Sequence, residues 1–590
     1  MTVNINKELG TTEVEWNLAD LYSGYDDPQI ENDINFCQKE AAAINGKYAD
    51  KVKYLDAGDL HSLITRLESL ETRMGKLFTF AFLNFATQTH DHEVSAFLQR
   101  MREIGSSIDT ETVFFELEWN MIPEDRAEKL LQDQIFGHYR HYLENMRKYA
   151  PHQLSQVEEK LLLEMSPVGR GSWTTLFEKI MGQMKFGEKK RTEEEVLSDL
   201  YNSDRQIRKQ AAQDMTEGLQ SQLHILTYVF NTLLAEKMIK DRLRNYAGWI
   251  STMNLGNELE DETVEVLINA VTTRYDIPQR YYRIKQKMLG LDELLDYDRY
   301  APVPHLPDKK IPWPESKYMV LDAFTKFSPR MAEIAGYFFD QKWIHAPLQE
   351  GKRGGAFAHP CVPDVHPYVM VNYTGNLRDL STLAHELGHG VHQYLAAEQG
   401  YYNSNTTLVL SETASVFAEL LVFNSQLELL DDMEERKAFI CQKLESVFAT
   451  VFRQISMNRF EDKVHNARRE HGELKSDEVS DMWLKTQREM FSTSVTLSEN
   501  YSIWWSYIPH FLHTPGYVYS YAFGELLVLA LYALYKKDGE AFVPKYFELL
   551  SAGGSQTPYT LLEPFGVNPN DPVFWNDGLM IIDEMLKQVE

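Results

Sequence analysis

The chain has 590 residues, 43% hydrophobic and 25% charged, with a formal net charge of −28. That composition builds a globular interior and leaves length for either several average domains or one large architecture. The negative balance argues against phosphate-backbone binding, so nucleic acid is not an expected partner.

The opening M-T-V-N-I-N-K-E-L-G lacks the basic and apolar regions of a secretory signal, so the expected compartment is the cytoplasm. Cys37, Cys361 and Cys441 are far apart, odd in number and without C-x-x-C spacing. They predict neither a disulfide framework nor a thiolate metal site, and they fit a reducing compartment. In E-V-E-W-N-L-A-D-L-Y, Trp16, Leu18, Leu21 and Tyr22 are placed to anchor a polar entry segment onto the body. Residues 60–85 carry Leu63, Ile64, Leu67, Leu70, Met74, Leu77 and Phe78 at helical spacing, and residues 96–104 and 158–165 continue the pattern. Mostly antiparallel helices are expected there. Residues 180–194 differ, because Gly187 in F-G-E-K-K supplies turn chemistry between alternating residues and predicts a small hairpin.

The boundary expected near residue 200 separates an N-terminal helical domain, 1–200, from a larger domain, 201–590. Long helices resume over residues 195–246. Pro302, Pro304, Pro307, Pro312 and Pro314 then exclude a helix interior and predict an extended or turning path. Residues 352–357, K-R-G-G-A-F, and 367–373, P-Y-V-M-V-N-Y, read as two short strands directly before the next helix. Paired glycines let backbone approach a ligand closely, so an edge strand here could hydrogen-bond an extended peptide. The longest apolar run, residues 526–535, is about half of the roughly 20 residues a membrane span requires and predicts a buried core helix. No membrane association is expected.

Between these elements, residues 381–392 read S-T-L-A-H-E-L-G-H-G-V-H, placing His385, Glu386 and His389 in the order H-E-x-x-H. Residues four apart lie one turn up the same helical face, so both imidazoles can converge on one cation while Glu386 points beside them. Two neutral imidazoles, an open position for water and an adjacent carboxylate base are what zinc-assisted hydrolysis requires. Leu380, Leu383, Ala384, Leu387, Val391, Leu395 and Ala396 recur as on a buried amphipathic helix, with Asn376 and Asp379 as candidate N-caps. The pattern with a third histidine fails here, because the positions three and six residues past His389 hold His392 and Leu395. Residues 408–421 instead offer Glu412 and Glu419 on one helical face, and Glu412 is the chosen third ligand. Glu419 is placed to accept the free N–H of a ligating imidazole. His392 is expected at the edge of the site, packing or polarising substrate.

With these motifs in place, the chain resembles the M3 family of zinc metallopeptidases, in particular its oligoendopeptidase F branch. The resemblance spans most of the chain. It rests on W-N-L-A-D-L-Y at 16–22, K-R-G-G-A-F at 352–357, H-E-L-G-H-G-V-H at 385–392, S-E-T-A-S at 411–415 and P-H-F-L-H-T-P-G-Y-V-Y-S-Y-A-F-G at 509–524. It implies a mostly α, two-lobed, zincin-like metallopeptidase with a deep substrate channel and a small β-sheet beside the active-site helix. It also implies one Zn2+ per chain on His385, His389 and Glu412, with Glu386 as general base. A histidine and tyrosines of the C-terminal motif would donate to the oxyanion: His510 and Tyr517 first, then Tyr521 and His513. If this stretch is helical, Tyr517 and Tyr521 share a face from which Tyr519 would point away. Gly516 stands where the branch more often has an aromatic residue.

The function expected is hydrolysis of internal bonds of short oligopeptides by a zinc-activated water. The alternatives are a helical zinc carboxypeptidase, a zinc-containing peptide-binding scaffold without chemistry, and a helical structural protein carrying the motif by coincidence. An intact Glu386 argues against the scaffold, since a pure binder has no use for that base.

Overall fold

The structure, a computed structural model, describes residues 2–166, 168–305 and 310–590, and for residues 2–4 and 163 only the backbone. The described residues are predominantly helical, with one three-stranded sheet among them. The chain divides into two compact units, each assembled from three stretches of chain. One comprises Met1–Ala150, Asp308–Leu429 and Leu534–Gly566; the other comprises Pro151–Pro307, Leu430–Ala533 and Val567–Glu590.

In the first unit the helical pattern of residues 60–85 becomes Ala57–Thr87, capped by Asp56. It lies among Pro28–Tyr48 and His92–Thr112 over a core of Ile44, Leu63, Leu67, Leu70 and Trp119. The sheet has strands β1 (Ile344–His345), β2 (Phe357–His359) and β3 (Tyr368–Met370) in the order β1-β3-β2, with β1 parallel and β2 antiparallel to β3. K-R-G-G-A contributes no strand of its own; only Phe357 of that motif is in β2. The two-residue β1 is too short for any alternation to reveal it.

The entry motif explains how so small a sheet is held. The backbone at 14–17 zips along β1, with Ala346 donating to Val14 at 2.9 Å and Asn17 donating to Lys342 at 2.8 Å. Trp16 then lays its ring against one residue of every strand: His345 at 5.2 Å, Phe357 at 6.4 Å and Tyr368 at 6.1 Å between centroids. His345 and Phe357 are both in register with Met370, two residues beyond Tyr368, so the three share one face of the sheet. Asp20 accepts from His366 at 3.0 Å and fixes the other end of the motif.

The H-E-x-x-H stretch forms the helix Leu377–Ala396, started by a capping box between Asn376 and Asp379. It packs against β2, β3 and, along its length, the helix Thr413–Glu428. Gly388 sets that last approach: a Cβ there would lie 2.5 Å from the Ala414 carbonyl oxygen and 2.6 Å from the Ser415 Cα. The stretch Leu408–Glu428 is long and apolar enough to cross a membrane by composition. In this fold it is mostly buried, and it is interrupted at Glu412, between Leu408–Ser411 and Thr413–Glu428.

The second unit is built on the 39-residue helix Arg205–Leu243, with Phe452–His471 and Ser476–Phe491 around a core containing Trp483, Trp504 and Trp505. The hairpin expected over 180–194 is smaller than the pattern suggested. Residues 180–183 belong to the helix Arg170–Gln183, and one bridge, Phe186 to Arg191, closes the turn at Gly187. Pro314 lies in the first turn of Trp313–Phe327, where its missing N–H has no intrahelical partner to lose; Pro307 lies outside the described residues. The run 526–535 falls inside the helix Tyr519–Asp538.

Gly388→Ala should force the motif helix away from backbone atoms that cannot yield. The expected cost is about 1–3 kcal/mol or somewhat more, the range for overpacking. Thermal unfolding of the purified variant reads it, and an unchanged midpoint would contradict the close approach.

Candidate metal centre and catalytic residues

Helical spacing places His385 and His389 on one face, with ring centroids 4.9 Å apart. The break in the apolar stretch at Glu412 then matters. Glu412 ends one helical turn and begins the next helix, so its side chain leaves the helix start toward the histidines. Its Oε2 lies 3.3 Å from Nε2 of His385 and 3.4 Å from Nε2 of His389. Ser415 donates to the same Oε2 at 2.7 Å and fixes its direction. The other ring nitrogen of His385, Nδ1, lies 3.5 Å from Oε2 of Glu419. The helix therefore brings its first carboxylate to the inner side of the imidazole and its second, two turns on, to the outer side.

Among the described residues, His385, His389 and Glu412 form the one group of three whose ligand atoms could hold a metal ion, all within 4.8 Å of one another. Two imidazole nitrogens and one carboxylate oxygen are a donor set suited to zinc and leave a coordination position open. The electrostatics point the same way. Burial works against a charged imidazole at His385, yet the Glu412 and Glu419 carboxylates outweigh it and push its pKa up to about 10. Burial likewise works against the Glu412 carboxylate, but hydrogen bonds from both imidazoles hold it far below the usual carboxylate range. The pocket is a well for positive charge, and a divalent cation fits it.

Glu386 is 7% exposed. Burial raises its pKa above the ordinary carboxylate value, against the pull of His385, His389 and the backbone N–H of Ala358 in β2. The edge strand thus touches the candidate base directly. His392 is buried, and burial followed by the nearby His389 holds its pKa down at about 4, so it is a neutral packing group outside the ligand cluster.

In the second unit the C-terminal motif sorts its own residues. His510 and Tyr521 are joined by a 3.2 Å contact between Nε2 and the phenol oxygen. The Tyr517 ring lies parallel to His510 at 6.2 Å and edge-on to Tyr521 at 4.8 Å. Burial, then the charges of Arg453 and His513, lower the His510 pKa and favour the neutral imidazole. His513 is turned elsewhere, 3.7 Å from Glu178 and 6.3 Å from the Phe177 ring. Tyr519 is buried, its hydroxyl accepting from Asn257 at 2.9 Å. Sequence reasoning missed Gly388, Ser415, Ala358 and Arg453. The glycine inside H-E-L-G-H was the one visible signal, because glycine in a buried helix marks a close approach.

Comparison with known proteins adds the following. The family model "Peptidase family M3" matches residues 199–581, and the model "Oligopeptidase F" matches residues 118–186. Oligopeptidase PepF of Bacillus subtilis is 26% identical over 586 residues, covering 98% of this chain and 86% of its own. Group B oligopeptidase PepB of Streptococcus agalactiae is 26% identical over 550 residues, covering 91% and 90%. The crystal structure of oligoendopeptidase-F from Enterococcus faecium has the same fold, with a TM-score of 0.70, 20% identity, and 95% and 96% of the two chains covered.

The two glutamates should fail differently. Glu412→Ala is expected to abolish tight binding in a Zn2+ titration, whereas Glu419→Ala should weaken it by about 10- to 100-fold, the usual range for a group that orients a ligand. Wild-type affinity in Glu412→Ala would remove that residue from the ligand set.

Proposed function

The chain belongs to peptidase family M3 and is a metalloendopeptidase, and from that premise we propose that it hydrolyses internal bonds of short oligopeptides with one zinc ion per chain. The observation that carries the proposal is the convergence of His385, His389 and Glu412 beside a buried Glu386. When bound, zinc supplies Lewis acidity, polarising the scissile carbonyl and lowering the pKa of a water toward neutrality.

The rest is done by the chain's own groups. Glu386, whose carboxyl burial raises above the ordinary carboxylate value, takes a proton from the attacking water and returns it to the leaving amine. β2 is an edge strand of the sheet, so an extended peptide can add to it by backbone hydrogen bonds next to Glu386. Glu419 holds the His385 imidazole by its outer nitrogen. By resemblance of the motif, Tyr517 and His510 donate to the developing oxyanion, with Tyr521 bonded to His510; His513 is the weakest member of the set. The boundary proposed near residue 200 falls between the two family models, one ending at 186 and the other beginning at 199, while the compact units divide at Ala150 and keep 151–307 together. Three unpaired cysteines are in keeping with a cytoplasmic enzyme, and the charge of −28 with a peptide rather than nucleic-acid substrate.

Glu386→Gln preserves shape and removes the base. It should keep stoichiometric zinc while kcat on a quenched peptide falls about 10²- to 10⁴-fold; substantial residual turnover in rigorously purified protein would refute the assignment. A peptide of about ten residues, roughly 35 Å when extended, should be cut far faster than the same bond displayed in a surface loop of a stable folded protein. Equal rates would sink the oligopeptide specificity. Product masses from an end-blocked peptide should show internal cuts, against the terminal trimming a carboxypeptidase would give.

A further inference from the structure

Glu461, a buried acid of the second unit that the proposed reaction does not use, is 1% exposed on the helix Phe452–His471. Its Oε1 accepts the backbone N–H of Gly516 at 2.9 Å, and its Oε2 is buried without a partner. Gly516 directly precedes Tyr517. It has φ +83, a left-handed conformation that favours glycine, and a Cβ there would stand 3.5 Å from Ile250, Met253 and Trp249. The seat beneath it is built from the same helix: His465, one turn beyond Glu461, stacks on Trp249 at 4.6 Å, and Asp462 accepts the Trp249 indole N–H at 3.0 Å.

The rest of the turn is tied locally, Tyr517 donating to Thr514 at 3.1 Å and Ser520 to Tyr517 at 2.9 Å. Further anchors lie to either side, where Arg170 donates to the Leu512 carbonyl and Asn257 to Tyr519 and Ser520. We propose that Glu461 is a positioning residue for catalysis: by holding the Gly516 N–H it fixes the backbone from which Tyr517 projects. The proposal rests on the reading of Tyr517 as an oxyanion donor. Burial pushes the Glu461 carboxyl up to about 8, against the Gly516 N–H and the charge of Lys237, so the group that accepts the bond at neutral pH is the uncharged acid. Glutamine reproduces that state, with a carbonyl to accept and no charge to bury.

The test uses the full-length, zinc-loaded enzyme. Glu461→Gln should rescue function, with kcat within about 3-fold of wild type. Glu461→Leu should lower kcat by about 10- to 100-fold with KM within about 2-fold, since displacement of a reacting group by about 1 Å costs on that order. If the leucine variant does not fold, Glu461→Asp withdraws the carboxyl from Gly516 by one methylene while keeping a buried acid, and should show the same kcat loss. Tyr517→Phe alone should cost about 10²- to 10³-fold, and adding Glu461→Leu to it should cost less than about 3-fold more, because residues acting as a unit are not additive. Hydrogen exchange at the Gly516 amide should be protected in wild type and in Glu461→Gln and accelerate at least about tenfold in the leucine or aspartate variant.

Wild-type kcat in Glu461→Leu, unchanged Gly516 exchange, or full additivity with Tyr517→Phe would each overturn the proposal while leaving the reaction as described. Tyr517→Phe with wild-type kcat would instead overturn the oxyanion assignment, and the proposal with it.

Discussion

The centre depends on one close approach. Gly388 lets the motif helix sit against the backbone at Ala414 and Ser415, and only at that separation can Glu412 reach both imidazoles of a neighbouring helix. The histidines are one turn apart by helical geometry and need no further device. The third ligand is a tertiary contact, and its distance is set by how near two backbones can come. Glycine supplies that approach at the expense of helix propensity, about 1 kcal/mol relative to alanine. The capping box at Asn376 contributes a compensation of similar size at the start of the same helix.

The other constraints arrange charge around this contact. The Glu412 carboxylate faces both imidazoles and accepts from Ser415, and a second carboxylate stands on the outer nitrogen of His385. Glu386, on the helix of the two histidines, feels the reverse environment, with burial favouring its neutral form. Two carboxylates 26 residues apart thus take opposite electrostatic roles, one committed to charge and one able to exchange a proton. The entry motif reaches the same place from the far side of the sheet, because Trp16 bears on Phe357, the neighbour of the Ala358 that touches Glu386.

Much of this was legible in the sequence because it is local. His385, Glu386 and His389 are fixed by the helical period, and the helices over 60–85 and 526–535 by their apolar spacing. Glu412 and Glu419 could be chosen because seven residues return a helix to nearly the same face; the break at Glu412 itself left no pattern in an unbroken apolar run. The sheet was half visible. β1 has two residues, and the glycines of K-R-G-G-A-F carry no alternation, so its order and the clamp by Trp16 needed coordinates. The same is true of the two interleaved units, since compactness built from three separated stretches leaves no mark in any one of them. The helix that carries Tyr521 begins only at Tyr519, so Tyr517 stands in the turn before it; its edge-on approach to Tyr521 and the turning of His513 toward Glu178 are packing outcomes that spacing does not encode.

The most direct measurement is X-ray absorption at the zinc edge on enzyme purified without added metal, paired with metal content by mass spectrometry. The account predicts one zinc per chain in a shell of nitrogen and oxygen at about 2.0–2.2 Å, with imidazole scattering from two rings. A chain that holds no stoichiometric zinc, or a shell containing sulfur at about 2.3 Å, would contradict a centre built from His385, His389 and Glu412.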